Sequence, residues 1–364
     1  MARSKWDPKE WERKLMRMIT AQEAGVEQIF SEFINASSPA LTRYSHTKSV
    51  AIWHRNKAVE AQLNRQLITL HQQLTTYLKS QSTAAWDLAS MKTDLLVADY
   101  IHGMSISKIA REGFFDRNLA ALEAFQKRAI GGMDLSARVW DVCEQAKQNV
   151  GLYLQSGVGT GRSASQLSRD VRAMMNNPDK RFRRIRDPET GKLRPSRPMA
   201  NYHPGQGVYR SSYQNALRMT RTETNMAYYL SDHERWKKLD FVVGKEVQRS
   251  AGGVPCGLCD GMVGKYPKSF VFATWHPNCW CRCVPVLASQ DVFVENLLND
   301  TPPTGHIKAI PLRAQTYVAK HTKQFNNWKN SPYWLRDNFT LQGGKYVPKD
   351  ALKVVPKGVI ATAK

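Results

Sequence analysis

Apolar residues in the first half of the chain recur at helical intervals. Leu63, Leu67, Leu70, Leu74 and Tyr77 are spaced by 4, 3, 4 and 3 residues, which is the seam of a coiled coil or a long bundle helix. Three heptads at most carry the pattern, so an intramolecular helical bundle is expected rather than an extended rod. Upstream, "DPKEWERKLMRMITAQEAGVEQIFSEFI" places Asp7 as an N-cap and Pro8 at the first helical position. Further helices are expected near 86–101 and 118–129. Past Gly131-Gly132, Leu135, Val139, Val142 and Tyr153 fall on one stripe. Cys143 sits on that stripe and reads as a buried structural thiol.

The pattern then changes. "GVGTGRSASQLSRDVRAMM" reads as a glycine turn feeding a new helix, with Ser163 and Gln166 at capping-box spacing. It is not a phosphate loop. Ser156 stands where the first glycine is needed, Arg162 stands where lysine is expected, and the turn follows a helix rather than a strand. Five prolines between 178 and 204 exclude a continuous helix over 176–207. Helix returns over 208–240, and the short β-branched "FVVGKEVQRS" reads as a strand. Beyond Leu287, helices are expected near 292–298 and 314–328, ahead of an extended end, "KYVPKDALKVVPKGVIATAK". The expected fold is mainly α: a helical N-terminal bundle over 1–132, a small α+β module within 133–290, and a basic C-terminal extension over 291–364.

Charge adds the first functional hint. The chain carries 53 Lys and Arg against 31 Asp and Glu, a net +22 with a pI near 9.8. Such a field favours polyanions, nucleic acid foremost. Nine basic residues against Asp187 and Glu189 lie between 180 and 210, and eleven against Asp337 and Asp350 between 301 and 364. Arg181, Arg183, Arg184, Arg186, Arg194 and Arg197 are the candidate phosphate contacts, weighed against a solvated linker. A chain that is 42% hydrophobic with ten tryptophans is not a disordered one. The start "MARSKWDPKEWERK" has no apolar h-region, and no run approaches the roughly 18 apolar residues of a spanning helix. A soluble protein, intracellular where it is made, is the expectation.

Five of the six cysteines lie in "CGLCDGMVGKYPKSFVFATWHPNCWCRC". Cys256-x-x-Cys259 has the spacing of a zinc knuckle, with Gly257 easing its turn, and "HPNCWCRC" adds His276, Cys279, Cys281 and Cys283. A closed structural zinc takes four ligands. The preferred set is Cys256, Cys259, His276 and one of Cys279 or Cys281, with Cys283 in reserve. In an extended chain Cys279, Cys281 and Cys283 share one face. A reducing cytosol disfavours the alternative of disulfides, and metal-free buried thiols are the other alternative. Asp260 is the nearby carboxylate that a catalytic zinc would need, but surplus thiolates favour a closed site. Rich in Gly and Pro, the segment is expected to gain its order mainly from the metal.

The order of "RTETNMAYY" on a helix, C-x-x-C, then "HPNCWC" ahead of an apolar strand resembles the tailed-phage head morphogenesis family, the phage Mu F-like minor head proteins. "SGVGTGRSASQLSRDVRAMM" and "YHPGQGVYRSSYQNALRMTRTE" are similar to the form in Mu-like prophages, and the likeness covers roughly 134–287. It departs in lacking an acidic residue just ahead of Cys256 and in adding Cys283. The resemblance implies a minor capsid protein, not an enzyme, acting in virion assembly inside the phage head. Its implied partners are the portal protein, packaged double-stranded DNA, and coat or scaffolding protein. It would be made in the host cytoplasm and housed in the head. On the RTET helix, Arg218 and Arg221 share a face with Asn225, while Glu223 points elsewhere. Structural roles for Glu223 and Asn225 are expected, with Arg218 and Arg221 as candidate DNA contacts. The competing readings are a zinc-dependent nuclease and a zinc-stabilised DNA-binding protein outside any virion.

Overall fold

The computed structural model describes residues 6–45, 57–155, 169, 171–173, 175, 184–195, 211–250, 256–299, 301, 304–328 and 330–349. The chain is mainly helical with a small sheet region. Its compact units are interleaved along the sequence rather than following it in three consecutive blocks. One unit takes Ile19–Gln81 and Lys127–Arg221; the other takes Met1–Met18, Ser82–Gln126 and Thr222–Lys364. Three long helices each contribute residues to both units: α1 (Pro8–Ser45), α2 (Lys57–Tyr100) and α6 (Ser212–Trp236).

The first unit has an aliphatic core. Val26, Phe30, Phe33 and Ile34 of α1 cluster with Leu63, Leu67, Leu70 and Leu74 of α2. Leu135, Val139, Val142, Cys143 and Ala146 of α5 (Leu135–Gln155) join them, with Ala216 and Met219 of α6. The expected 4-3-4 stripe is buried as read from the sequence. Tyr77 is only partly buried, its hydroxyl donating to the Gln22 carbonyl at 3.2 Å, and Leu78 takes the next core position. The Asp134 carboxylate caps α5 by accepting from the Ala137 amide at 2.8 Å. Burial pushes the Cys143 thiol up to about 12, which makes it inert packing. The Tyr153 side chain and the expected Ser163–Gln166 capping box lie outside the described residues.

Two local expectations change. The helix over 86–101 is not separate, because α2 runs unbroken from Lys57 to Tyr100. No Gly or Pro interrupts that span, so nothing stops the helix. Within the Pro-rich 176–207 stretch, β1 (Arg184–Arg186) and β2 (Leu193–Pro195) form an antiparallel hairpin. Its turn is organised by Asp187, whose Oδ1 accepts from the Glu189 and Thr190 amides at 3.0 Å each.

The second unit begins with the start of α1, where Asp7 Oδ1 accepts the Lys9 amide at 2.9 Å, the expected N-cap ahead of Pro8. The end of α2 and helices α3 (Lys108–Gly113) and α4 (Leu119–Lys127) follow. Its sheet has the order β4 (Gly264–Tyr266), β3 (Val242–Gln248), β5 (Arg282–Leu287), antiparallel throughout, with Val247 opposite Cys283. Between these strands sits α7 (Gly257–Gly261). Beyond β5 come α8 (Gln290–Leu298), α9 (Leu312–Asn326), α10 (Tyr333–Asn338) and the hairpin of β6 (Phe339–Gln342) with β7 (Lys345–Pro348), the described part of the end expected to be extended. The first two match the helices expected near 292–298 and 314–328. The last two elements are short and lack a helical period, which is why the sequence pattern hid them. Residues 350–364 lie outside the described residues. No described helix is long and apolar enough to cross a membrane.

Candidate metal centre

Each ligand pair is set by a local backbone device. Cys256 is the N-cap of α7, and the Asp260 amide donates to its carbonyl at 2.9 Å. One helical turn therefore carries Cys256 and Cys259 to the same side. Gly257 is not what permits this, because a Cβ there would have open space around it. The glycine that matters is Gly261, where a Cβ would come within 2.1 Å of the Tyr317 ring of α9. At the second pair, the Cys279 amide donates to the His276 carbonyl at 3.1 Å. Pro277 precedes Asn278, whose φ is 60°, the sequence and sign of a type II turn. That turn folds His276 and Cys279 back toward each other.

Two triads of potential metal donors result: Cys256, Cys259 and His276, and Cys259, Cys279 and Cys281. Within each triad the donor atoms all lie within 4.8 Å of one another, and Cys259 belongs to both. His276 Nε2 is 3.4 Å from the Cys256 sulfur and 3.0 Å from that of Cys259, and the Cys259 and Cys279 sulfurs are 3.9 Å apart. The tautomer of His276 follows from its other nitrogen. Nδ1 is 2.7 Å from the Pro277 carbonyl, which can only accept, so Nδ1 carries the proton and the Nε2 lone pair faces the sulfurs. Cys259, Cys279 and Cys281 are buried. Hydrogen bonding with Cys259, and then with Cys281, holds the Cys279 thiol well below its usual range. The same contacts push Cys259 well above it. An ion bound there would displace the thiol protons. Soft thiolates with one neutral imidazole fit a tetrahedral N/S-bound ion.

Further residues hold this cluster from behind. On α6, Asn225 Nδ2 donates to the Cys279 carbonyl at 3.4 Å, and one turn later the Tyr229 hydroxyl donates to the Cys281 carbonyl at 3.0 Å. The RTET helix thereby fixes the backbone of C-W-C. Arg249 hydrogen-bonds the Cys259 sulfur and meets Asp260 at 3.5 Å. The carboxylate proposed as a general base is thus turned to a guanidinium. Sequence reasoning missed Tyr229 and Arg249. The i, i+4 spacing of Asn225 and Tyr229 was the available signal for the first; none marks the second.

The segment is not as poor in apolar packing as its composition suggests. Phe270, Phe272 and Trp275 are buried. Phe272 stands edge-on to Trp275 at 4.9 Å and to Tyr229 at 5.1 Å, and Trp275 meets Trp334 of α10 at 5.8 Å. Asn338 clamps the same loop, accepting from the Val271 amide at 2.7 Å and donating to its carbonyl at 2.8 Å. An aromatic core thus packs the segment whose order was expected to come mainly from the metal.

The remaining candidates are dispersed. Cys283 lies in neither triad. Of the C-W-C-R-C run only Arg282 and Cys283 belong to strand Arg282–Leu287, and burial pushes the Cys283 thiol up to about 12. Glu223 is buried on α6. Arg221 pairs with Glu23, and Arg218 donates to Asn215 Oδ1 at 2.9 Å. Arg186 and Arg194 are exposed but fold back on their own turn, to the Gly191 carbonyl at 3.1 Å and to Asp187 at 3.2 Å. Arg184 lies in β1, pairing with Pro195. Arg181, Arg183 and Arg197 fall outside the described residues. Comparison with protein-family models, with curated proteins and with solved structures finds no match to this chain.

Proposed function

We propose that this chain is a minor structural protein of a tailed-phage or prophage head, and that its Cys/His cluster holds one closed structural zinc beside an N-terminal helical bundle. It acts in head assembly or genome delivery, next to the portal and the packaged DNA. The observation that carries the reading is the spatial union of the motifs on which the resemblance rests. Asn225 and Tyr229 of "RTETNMAYY" bond the Cys279 and Cys281 carbonyls of "HPNCWC", whose sulfurs meet those of C-x-x-C.

Zinc is supported by the spacing. With Zn–S near 2.3 Å and Zn–N near 2.05 Å, a tetrahedron has S–S edges of about 3.8 Å and S–N edges of about 3.5 Å. The cluster offers 3.9 Å between two sulfurs, and 3.4 and 3.0 Å from sulfur to nitrogen. Cys259 is common to the triads Cys256–Cys259–His276 and Cys259–Cys279–Cys281, and a closed zinc would complete the first triad with a sulfur of the second, leaving no position for a reactive water. When bound, zinc supplies a cross-link; the chain's own residues supply its orientation. The net charge of +22 supports proximity to DNA through phosphate rather than base contacts.

Two experiments test this. Particles purified from an induced host carrying the gene should contain the chain in low copy together with the portal; intact heads lacking it would refute the assignment. Plasmid DNA incubated with the protein and Mg²⁺, Mn²⁺ or Zn²⁺ should stay supercoiled. Nicking abolished by Asp260→Ala would establish the nuclease instead.

A further inference from the structure

A groove of about 460 Å³ lies in the second unit, between the turn after α2 and the outer face of α8. His102 and Met104 form one wall; Asp291, Val294, Glu295 and Leu298 form the other. The volume falls within the range of binding clefts, roughly 300–1,000 Å³. The apolar side chains of the α8 wall are uncovered: Leu298 is 81% exposed and Val294 38%. Large apolar side chains grouped this way on a helix face mark an interaction surface. The charge is the reverse of the chain's. From Leu287 to Leu298 there is no Lys or Arg, and Asp291 and Glu295 are both exposed, in a protein of net charge +22.

An acidic, apolar cleft selects a basic, apolar segment, and the charge of the chain decides where that segment comes from. A separate basic polypeptide would be repelled at long range by a +22 protein. A segment of the same chain arrives by covalent connection, at an effective concentration in the millimolar range for a short tether. Directly after Lys349, "DALKVVPKGVIATAK" carries Lys353, Lys357 and Lys364 interspersed with Val354, Val355, Val359 and Ile360. Fifteen residues reach up to about 50 Å when extended. We propose that residues 350–364 dock in this groove of the same chain, with lysines against Asp291 and Glu295 and an aliphatic side chain over Leu298.

The test uses the full-length protein with Leu298→p-benzoylphenylalanine, an exposed position, irradiated in dilute solution and digested for mass spectrometry. Cross-links from position 298 to a peptide within 350–364, on material migrating as monomer, are expected. The yield should fall at least about tenfold in Asp291→Lys/Glu295→Lys, and equally in Lys353→Glu/Lys357→Glu. Asp291 lies in the first turn of α8, where its charge favours the helix, so the melting temperature of each double variant is measured and the yields are compared where all are folded. Cross-links to any other segment, cross-links found only in dimers, or a yield indifferent to both charge reversals would overturn the proposal.

Discussion

The two cores of this protein are built by different rules. In the first unit, Leu, Val, Ile and Phe side chains at helical spacing from α1, α2 and α5 close on one another, and helix periodicity orders the segments. Around the cysteines the backbone is short strands, one turn of helix and loops, and the core is aromatic and sulfurous: Tyr229, Phe272, Trp275 and Trp334 beside Cys259, Cys279 and Cys281. A periodic core tolerates loss of one member because its helices persist. An aperiodic one depends on a few large side chains and the polar ties that aim them.

That contrast orders the expected mutational effects. Trp275→Ala should cost the most, about 3–5 kcal/mol, and should also weaken metal binding, while amide protection at Val139 and Val142 stays as in wild type. Denaturant melts combined with hydrogen exchange read both. If α5 loosens equally, the two cores are not distinct. Leu70→Ala, at a fully buried helical position, should cost about 2–5 kcal/mol and leave metal affinity unchanged by competition with a chelating dye.

A pH-dependent contribution comes from Asp232, buried beside Lys92. Burial, opposed in part by Lys92, pushes its carboxyl up to about 6 from 3.8. A raised acid favours the folded state while protonated, so its contribution is full below about pH 4 and lost as pH rises through 6. The stability of wild type relative to Asp232→Asn should therefore fall by up to about 3 kcal/mol between pH 4 and 6 and level off above. A flat difference would remove this group from the account. Smaller again, Tyr229→Phe deletes only the hydroxyl that holds the Cys281 carbonyl. It should cost about 1–2 kcal/mol and lower metal affinity about tenfold, whereas a purely packing role for Tyr229 would leave affinity intact.

The same contrast explains what could be read from the sequence. The Leu63–Leu74 stripe, the cap at Asp7 and the strand at 242–248 are local signals, and local physics decides them. The cysteines announced a candidate metal centre through spacing, but which of them come together depends on the His276–Cys279 turn and on where β5 begins. Trp334 and Asn338 reach the cysteine loop from about sixty residues away in sequence, and no periodicity points to such a contact. Charge was legible as a sum and by segment but not in its pairing. Arg186, Arg194 and Arg221 are each engaged by an acceptor of this chain, and the acidic face of α8 was hidden by the basic total.

Zinc-edge X-ray absorption on the purified protein tests the closed site most directly. The account predicts one zinc per chain with four protein ligands, sulfur at about 2.3 Å dominating and one nitrogen at about 2.0–2.1 Å. A protein free of zinc, or a zinc shell containing a water oxygen, would contradict it.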